Sequence, residues 1–291
     1  MIWVVQPVSI IGCGYTGRRL AERLRESGAC VRGFAAHAES LRQIAAAGAD
    51  ALRLDLDAAI APVDFTEHLV YYAVPPAREA GDPRLDRFLD AVLGTPKRFI
   101  YLSTTGVYGN QAGARVSEDT PPAPDTERAT RRLAAEFALR TWAESRHVSW
   151  CVLRVPGIYG PGRLPLDRLR RTVPAIVPNE ATPGNRIHVT DLVTACVAAG
   201  FSAAADRRIY NVTDGNEESH TEYLQRVATI AHLPWPPLIS RAEAERTLSP
   251  SSRSLLAGSR RVDNCRMLTE LGVALKYRDL NAGVRASLAD G

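Results

Sequence analysis

Three hydroxyl side chains follow one another at Ser103, Thr104 and Thr105, within the segment YLSTTGVYGN. The apolar residues before them predict a buried strand, so the hydroxyls lie where a strand ends and a loop begins. A hydroxyl in that place can hydrogen-bond the reacting oxygen of a substrate, or it can simply cap the strand. Ser103 and Thr104 are therefore candidate catalytic residues, together with Tyr108 in the same segment, and the structural alternative stays open.

A glycine-rich loop stands near the N-terminus, in VSIIGCGYTGRRLAERL. Gly12, Gly14 and Gly17 have the Gly-x-Gly-x-x-Gly spacing, with a predicted strand before them and a predicted helix after them. Gly12 allows a tight turn, Gly14 lets the backbone approach a pyrophosphate, and Gly17 lets the helix pack closely on the strand. The free N–H groups at the helix N-terminus favour an anion. The spacing in this context predicts dinucleotide binding.

The second predicted strand bears on the choice between NAD and NADP. An acidic residue near its end would bind the ribose 2′-hydroxyl of NAD, but Ala35 and Ala36 occupy that place. Arg32 and His37 lie nearby, either to meet a 2′-phosphate or as ordinary solvated side chains. We therefore expect NADP to be preferred over NAD. Asp55, which closes the third strand, is expected at the adenine.

Short apolar runs alternate with amphipathic helical segments through the first half of the chain. The runs cover residues 8–11, 30–35, 51–54, 69–73, 99–102 and 150–155, and a further strand is predicted at 208–211. The helical segments end at Gly28, Gly48 and Gly94, and Asp82 is the expected N-cap of the third. This alternation predicts an α/β fold with a doubly wound, Rossmann-type parallel sheet and a smaller C-terminal substrate lobe.

The alternation of strand and helix segments becomes irregular after about residue 160, which suggests two structural units. Residues 1–160 plus 186–218 are expected to form the dinucleotide-binding Rossmann domain. Residues 161–185 plus 219–291 are expected to form the smaller substrate-binding lobe.

Composition limits the classes of function. The 291 residues are 45% hydrophobic and 23% charged, as in a soluble globular enzyme. The N-terminal MIWVVQPVSI predicts a strand rather than a signal peptide, so we expect a cytoplasmic protein. The five cysteines are dispersed and the six histidines lack ligand spacing, so no metal site is predicted. The basic residues are mixed with acids, so a nucleic acid is not expected as a partner. No apolar run approaches the roughly 18 residues that a spanning helix needs, so a membrane is not expected either. The expected partner is a small-molecule substrate, with a homodimer left open.

Six segments occur in an order that resembles the extended short-chain dehydrogenase/reductases, the NAD-dependent epimerase/dehydratase family. They are the glycine loop, FIYLSTTGVYGN, SEDTPPAPDTERATRRLAAE, LRVPGIYGPGR, NRIHVTDLV and IYNVTDG. The resemblance continues into SRRVDNCRMLTELGVAL and so covers nearly the whole chain. It implies that the hydroxyl of Thr104 bonds the substrate's reacting oxygen, next to a tyrosine acid/base and a lysine four residues after it.

The tyrosine and lysine that the resemblance implies are replaced in this chain. Counting back from Glu136, their positions hold Arg128 and Arg132. No tyrosine lies between Tyr108 and Tyr159, and no lysine lies between Lys97 and Lys276. Since a guanidinium stays protonated, Arg128 cannot act as a base, whereas Arg132 can still hold a ribose hydroxyl or a substrate anion. The resemblance therefore implies an atypical member, lacking the Tyr-x-x-x-Lys pair.

The remaining site residues follow from their places beside these motifs. The residues expected at the cofactor are Gly12, Gly14, Tyr15, Thr16, Gly17, Arg32, His37, Asp55, Ala73, Val74, Pro75, Ser103, Arg132 and Pro156. The residues expected at the substrate are Thr104, Arg128, Tyr159, Arg163 and Arg186.

Two functions remain open. The first is an NAD(P)-dependent oxidoreductase or epimerase on a nucleotide-sugar-like or other hydroxy/keto substrate, with water, Tyr108, Tyr159 or a carboxylate providing the proton route. The second is a non-catalytic NAD(P)(H)-binding sensor or regulatory protein, which the loss of the tyrosine and lysine favours.

Overall fold

A parallel sheet of seven strands forms the centre of the computed structural model, which describes residues 6–77, 82–247 and 258–290. In chain order the strands are β1 (Pro7–Ile11), β2 (Cys30–Ala35), β3 (Asp50–Arg53), β4 (Leu69–Tyr72), β5 (Arg98–Thr104), β6 (Ser149–Val155) and β7 (Arg208–Asn211). Their spatial order is β7-β6-β5-β4-β1-β2-β3. The predicted Rossmann-type sheet is confirmed, with each strand within two residues of its predicted bounds. Residues 1–5 of the predicted N-terminal strand lie outside the described residues.

The strand order reverses at β1, which pairs with β2 on one side and β4 on the other. From β1 the chain continues outward through β2 to β3 on one side of the sheet. It then returns, and β4 to β7 follow one another on the other side. All the ladders are parallel, so the carboxyl ends of the strands meet at one edge of the sheet. A crevice at this edge, where the order reverses, is where open α/β sheets bind ligands.

Helices cover both faces of the sheet and form the second lobe. They are α1 (Tyr15–Glu26), α2 (Ala38–Ala46), α3 (Pro83–Ala91), α4 (Glu127–Ser145), α5 (Leu166–Arg170), α6 (Val189–Phe201), α7 (His220–Ile230), α8 (Arg241–Thr247), α9 (Cys265–Glu270) and α10 (Leu280–Ala289). The side chain of Asp82 accepts a hydrogen bond from the Leu85 amide, which confirms it as the N-cap of α3. Thr126 caps α4 in the same way, through the Ala129 amide.

Alternate side chains of each central strand enter opposite cores. Val8 and Ile10 pack on one face of β1, with Leu20 of α1 and Leu192 of α6. Ile11 packs on the other face, in the core that also contains residues of α3 and α4. The near-continuous apolar strands predicted from the sequence therefore arise because both faces of the sheet are covered.

A third apolar cluster, around Tyr159, Leu169, Leu224 and Leu280, forms the core of the smaller lobe. A parallel pairing of Arg115–Val116 with Arg261–Val262 connects the two parts. Gly157–Tyr159 pairs with Arg186–His188 within the first part, and Ala175–Ile176 pairs with Leu238–Ile239 within the smaller lobe. Val63–Asp64 also pairs with Val92–Leu93. Met267 and Val273 pack in the core of the central sheet, although the predicted division assigns them to the smaller lobe. The division itself stays a prediction.

Candidate cofactor and substrate site

The three glycines of the loop between β1 and α1 have different surroundings. Gly12 has a φ of +78°, and a Cβ there would lie 2.7 Å from Cγ2 of Val74. A Cβ at Gly17 would lie 3.0 Å from Cγ2 of Ile10, so this glycine lets α1 pack on β1. A Cβ at Gly14 would meet only the Gly12 carbonyl oxygen, at 3.9 Å, so Gly14 faces open space.

The N-terminus of α1 fits an anion. No side chain caps this helix, and no acidic residue stands in its first turn. It opens onto a central cavity of about 420 Å³ at the carboxyl edge of the sheet. The cavity is lined by Gly12, Gly14, Tyr15, Thr16, Gly17, Ala73, Val74, Pro75, Leu102, Ser103, Thr104, Arg128, Arg132, Val155, Pro156, Ile158 and Arg163. A pyrophosphate therefore has open space beside Gly14 and helix amides to bind.

A neighbouring cavity of about 370 Å³ lies between the ends of β2 and β3. His37 and Asp55, both predicted at the cofactor, line it together with Ala35 and Ala36. Arg84, which sequence reasoning missed, also lines it and donates to both carboxylate oxygens of Asp57, at 2.7 and 2.5 Å. This hydrogen bonding lowers the pKa of Asp57 below its usual value.

The structure does not place Arg32 with these residues. Arg32 lies in the middle of β2, opposite Asp50 of β3, and it lines neither the central cavity nor this neighbouring one. Residues at the carboxyl end of the strand face the cavity, and Arg32 precedes that end by three positions. The expectation of a cofactor contact at Arg32 is therefore not met by its position.

Ser103 lies over a buried ion pair. Its hydroxyl donates to Oε1 of Glu136, and Arg154 donates to both oxygens of the same carboxylate, at 3.2 and 2.8 Å. Glu136 and Arg154 are each only 2% exposed. Since β5, α4 and β6 each contribute one member, the network holds the end of β5 against α4 and β6. Ser103 is thus fixed at the cavity wall, with its proton directed to Glu136.

Thr104 is the last residue of β5 and lies at a junction. Its Oγ1 accepts a hydrogen bond from the Gly106 amide at 3.1 Å, which caps the turn that follows the strand. That bond uses a lone pair and leaves the hydroxyl proton free to donate. Thr104 lines the central cavity and also a second cavity described below, so the strand-end cap and a substrate contact are compatible at this residue.

Tyr108 is wrong as a catalytic candidate. The residue is 0% exposed, and its hydroxyl donates to Oδ1 of Asn211 at 2.8 Å. It lines neither the central cavity nor the neighbouring one at the end of β2. The turn after β5 points Tyr108 into a small core with Val107, Val116 and Val262, where it joins β5 to β7.

Arg128 and Arg132 differ although both line the central cavity. Nη1 of Arg132 donates to the Val74 carbonyl, the Leu102 carbonyl and the Tyr101 hydroxyl, at 3.0 to 3.2 Å. Arg132 therefore ties the end of β4 to the end of β5, and its Nη1 is occupied by protein acceptors. Arg128, in the first turn of α4, is exposed and makes no hydrogen bond or ion pair within the described residues.

A second cavity, of about 450 Å³, adjoins the central one and shares Thr104, Pro156, Ile158 and Arg163 with it. Its other walls come from the smaller lobe and the C-terminal segment. The lining residues are Thr104, Thr105, Pro156, Gly157, Ile158, Tyr159, Arg163, Pro165, Thr182, Pro183, Gly184, Asn185, Arg186, His220, Tyr223, Gly258 and Arg260. No carboxylate is among these described lining residues.

Three nitrogen atoms in the walls of the second cavity are buried without a partner: Nη1 of Arg186, Nε of Arg260 and Nε2 of His220. Arg186 is only 5% exposed; its Nη2 donates to the Glu218 carbonyl at 3.1 Å, and its guanidinium covers the Tyr223 ring. Burial lowers the pKa of His220 to about 4, helped by nearby arginines, so the ring is neutral at pH 7. Unpaired buried donors are unfavourable, and an anionic ligand would satisfy them.

Arg260 is brought to Arg186 by the side chain of Asn185. The side-chain nitrogen of Asn185 donates to the Arg260 carbonyl at 3.0 Å, and its side-chain oxygen accepts from the Val262 backbone amide at 2.9 Å. Sequence reasoning missed both Arg260 and His220. Each lies far along the chain from Arg186, and no local motif marks it.

Tyr159 lines the second cavity, but its hydroxyl is directed at α10. A Cβ on Gly283 would lie 2.4 Å from this hydroxyl, which has no hydrogen-bond partner in the described structure. Burial raises the pKa of Tyr159 far above its usual value. The residue therefore packs the smaller lobe and is not a proton donor or acceptor for a substrate at neutral pH.

Tyr15 joins the glycine loop to the second cavity. Its hydroxyl donates to the Pro161 carbonyl at 3.0 Å. The guanidinium carbons of Arg19 and Arg163 lie 4.0 and 3.9 Å from the centre of the Tyr15 ring. Arg163 is thereby held where the two cavities meet.

The fold, the glycine loop and the cleft at the reversal of strand order together define a dinucleotide-binding α/β protein. A model of the NAD dependent epimerase/dehydratase family matches residues 8–213. The chain belongs to this family, and the family indicates a nicotinamide dinucleotide as the cofactor. A search among curated proteins found no match.

Solved structures resemble the chain over nearly its whole length. A functionally unknown conserved protein from Silicibacter pomeroyi DSS is 31% identical, with a TM-score of 0.83 over 98% of this chain and 99% of its own. UDP-glucuronic acid 4-epimerase from Bacillus cereus, in complex with UDP-glucuronic acid and NAD, is 18% identical, with a TM-score of 0.72 over 98% of both chains. UDP-glucose 4-epimerase from Thermus thermophilus, in complex with NAD, is 22% identical, with a TM-score of 0.73 over 98% of both. The two epimerases share the fold.

Searches for other kinds of site gave two results. Within residues 6–77, 82–247 and 258–290, no three His, Cys, Asp or Glu side chains are grouped as a metal site would require. No helix in the same residues is long and apolar enough to cross a bilayer.

Proposed function

We propose that the protein is an NAD(P)-dependent oxidoreductase or epimerase that acts on a nucleotide-sugar-like or other hydroxy/keto substrate without the usual acid/base pair. The observation that carries this proposal is the position of Thr104. Its free hydroxyl proton lies where the central cavity, which fits a dinucleotide, meets a second cavity lined by cationic side chains. A cofactor in one cavity and a substrate in the other would meet at Thr104.

The chain's own residues account for cofactor binding. The loop at Gly14 and the first-turn amides of α1 bind the pyrophosphate, and Ser103 and Pro156 line the wall beyond Thr104. When bound, the cofactor supplies hydride transfer to or from a substrate carbon. Arg132 keeps the ends of β4 and β5 at a fixed separation in this wall.

Substrate chemistry is proposed from the second cavity. Arg163, Arg186 and Arg260 line it with no carboxylate among the described lining residues, so its field favours an anion. The Bacillus cereus neighbour is in complex with UDP-glucuronic acid and NAD. A nucleotide diphosphate sugar carries the charge that these arginines would neutralise, and a guanidinium suits phosphate oxygens well.

The proton route differs from that of a tyrosine acid/base. Tyr108 is buried on Asn211, Tyr159 faces α10, and Arg128 stays protonated. We propose that water in the open cavity exchanges the proton, while Thr104 holds the reacting oxygen. Such a site should work slowly, because a positioned general acid/base contributes about 10²- to 10⁴-fold to a rate.

Thr104→Val tests the proposal once a panel of UDP-sugars has yielded a substrate. Losing one donor at a reacting oxygen should lower turnover by about 10²- to 10³-fold and leave the NADPH dissociation constant nearly unchanged. Thr104→Ser, which keeps the hydroxyl, is the matched control and should retain most of the turnover. Normal turnover in Thr104→Val, accompanied only by earlier melting, would show that the hydroxyl is a strand-end cap.

NADP is proposed as the preferred cofactor. Ala35 and Ala36 present no carboxylate at the end of β2, and His37 lines the cavity beside them. Dissociation constants for NADPH and NADH should be compared at one salt concentration, because phosphate contacts are screened by salt. Equal or tighter binding of NADH would refute the preference.

A non-catalytic NAD(P)(H) sensor is the second candidate, favoured by the arginines at 128 and 132. The sensor predicts tight NADPH binding and no turnover on any UDP-sugar of the panel. It also predicts that Thr104→Val changes neither property.

A further inference from the structure

Two arginines that line the central cavity, Arg128 and Arg163, have no carboxylate partner in the described structure. We propose that Arg128 and Arg163 bind a carboxylate group of the substrate, on the carbon next to the one that reacts at Thr104. This inference rests on the proposed function and narrows its substrate class to 2-hydroxy or 2-keto acids, as free acids or within a larger conjugate.

Arg128 is difficult to explain by the stability of α4. It stands two residues after the N-cap Thr126, where the helix dipole disfavours a positive charge. It makes no ion pair among the described residues, while its helix neighbour Arg131 pairs with Glu127. Arg128 instead lines the central cavity, in the same wall as Ser103 and Thr104. The dipole and the guanidinium together give this wall an affinity for an anion.

Arg163 is held in place by contacts that leave its charge unneutralised. Its guanidinium covers the Tyr15 ring, whose hydroxyl bonds the Pro161 carbonyl, and its own amide donates to the Gly160 carbonyl at 2.9 Å. It lines both cavities, as Thr104 does. An arginine fixed by an aromatic ring loses little side-chain entropy when it binds a ligand.

The charged side chains around Arg128 and Arg163 have the sign that a carboxylate ligand needs. Neither the central nor the second cavity has an Asp or Glu among its described lining residues. A planar carboxylate accepts paired hydrogen bonds from guanidinium groups, which makes it a suitable ligand for two arginines that line the same cavity.

The reaction this implies is balanced without a further reactant. In the oxidation of a 2-hydroxy acid, the C2–H bond breaks and its electron pair leaves as hydride to the oxidised nicotinamide. The O–H proton passes to water, and the C2–O bond becomes a carbonyl that Thr104 continues to hydrogen-bond. Arg128 and Arg163 hold the C1 carboxylate throughout and neither gain nor lose a proton.

Oxalate is the probe for this site, because it presents a carboxylate beside a second oxygen-bearing carbon. Isothermal titration of oxalate into NADPH-saturated protein should give saturable one-site binding. Arg128→Gln and Arg163→Gln should each weaken oxalate binding by about tenfold or more, since each removes a charged hydrogen bond. Both variants should bind NADPH within about threefold of the wild type. Arg170→Gln is the matched control, because Arg170 is exposed, pairs with Asp167 and lines neither cavity.

Three results would overturn the inference: no binding of oxalate to the NADPH-saturated protein, unchanged oxalate binding in Arg128→Gln, or loss of NADPH affinity equal to the loss for oxalate. The third would show that these arginines bind the cofactor's phosphates. If NADPH itself does not bind, the proposed function fails, and oxalate titrated into the protein alone still decides whether the carboxylate site exists. Melting curves of each variant report whether it is folded.

Discussion

The two main cavities open on the same edge of the sheet but are built in different ways. The central cavity is formed by backbone turns and small side chains at consecutive strand ends, with Gly12, Gly14 and Gly17 at its base. The second cavity is formed by long side chains such as Arg186 and Arg260, which come from distant parts of the chain. The first site is thus fixed by the fold of the sheet, while the second depends on how the smaller lobe packs against it.

Two carboxyl groups that lie near these cavities, without lining either of them, also differ. Asp57, in the solvent-open cavity at the end of β3, has its pKa lowered by the hydrogen bonds from Arg84. Asp214 lies behind the second cavity, where its amide donates to the Arg186 carbonyl at 2.9 Å. Burial raises the pKa of Asp214 to about 7, and one of its oxygens has no partner among the described residues. The wall behind the second cavity therefore contains a buried carboxyl group that the fold alone does not fully satisfy.

The largest expected effect concerns the ion pair that supports the wall between the cavities. Arg154→Met leaves the carboxylate of Glu136 buried without its cation, which should lower the free energy of unfolding by about 3–5 kcal/mol. Urea denaturation measures this loss. The double variant Glu136→Leu, Arg154→Met is the control and should recover much of the stability, because no unpaired charge remains. A single variant within about 1 kcal/mol of the wild type would contradict the role assigned to the pair.

The glycine loop allows binding and folding to be separated. Gly14→Val places its side chain in the open space assigned to the pyrophosphate, so NADPH binding should weaken by about 100-fold or more while the melting temperature stays close to that of the wild type. Fluorescence titration of NADPH and a melting curve measure the two effects.

Gly17→Val provides the contrast on the same loop. Its Cβ would lie 3.0 Å from Ile10 and 3.3 Å from Cys13, so it should destabilise the fold itself. If Gly14→Val bound NADPH normally, the pyrophosphate would not lie at this loop, and the cofactor assignment would be wrong.

The difference between the cavities also explains what the sequence predicts. The strands, the glycine loop and the Asp82 cap follow from local patterns, because each depends on neighbours within a few residues. The elements that contain Arg32 and Tyr108 follow from the sequence. The direction of each side chain, however, depends on tertiary packing that no local pattern shows. Arg84, Arg260 and His220 reach the cavities only through tertiary contacts, such as those of Asn185, and no spacing in the sequence marks them.

Replacing Arg186 should lower the affinity of the second cavity for its ligand with little change in the stability of the protein. Arg186→Met removes the unpaired Nη1 of a buried cation but also the Nη2 bond to the Glu218 carbonyl. Because these two effects oppose each other, the free energy of unfolding of the unbound protein should change by no more than about 1 kcal/mol. Binding of UDP, measured by isothermal titration, should weaken by about 10- to 100-fold. Arg170→Gln should leave UDP binding unchanged. Strong destabilisation of Arg186→Met together with unchanged UDP affinity would make Arg186 a structural residue and not a ligand-binding one.

The pH dependence that Asp214 adds to stability is an effect spread over several pH units, so it is small at any single pH step. Its pKa is about 7 in the folded protein and about 4 in the unfolded chain, so between these values the folded state holds a proton that the unfolded chain has lost. The free energy of unfolding should therefore fall as pH rises through this window, by no more than about 1.4 kcal/mol per pH unit. Asp214→Asn keeps an oxygen to accept from the Asn216 amide but cannot ionise, so this component should disappear. The measurement is the difference in free energy of unfolding between wild type and variant at several pH values, which removes the contribution of the other titrating groups. A difference that stays constant across the window would mean that Asp214 is already ionised at low pH and that its surroundings behind the second cavity satisfy its carboxylate as the Arg84 pair satisfies Asp57.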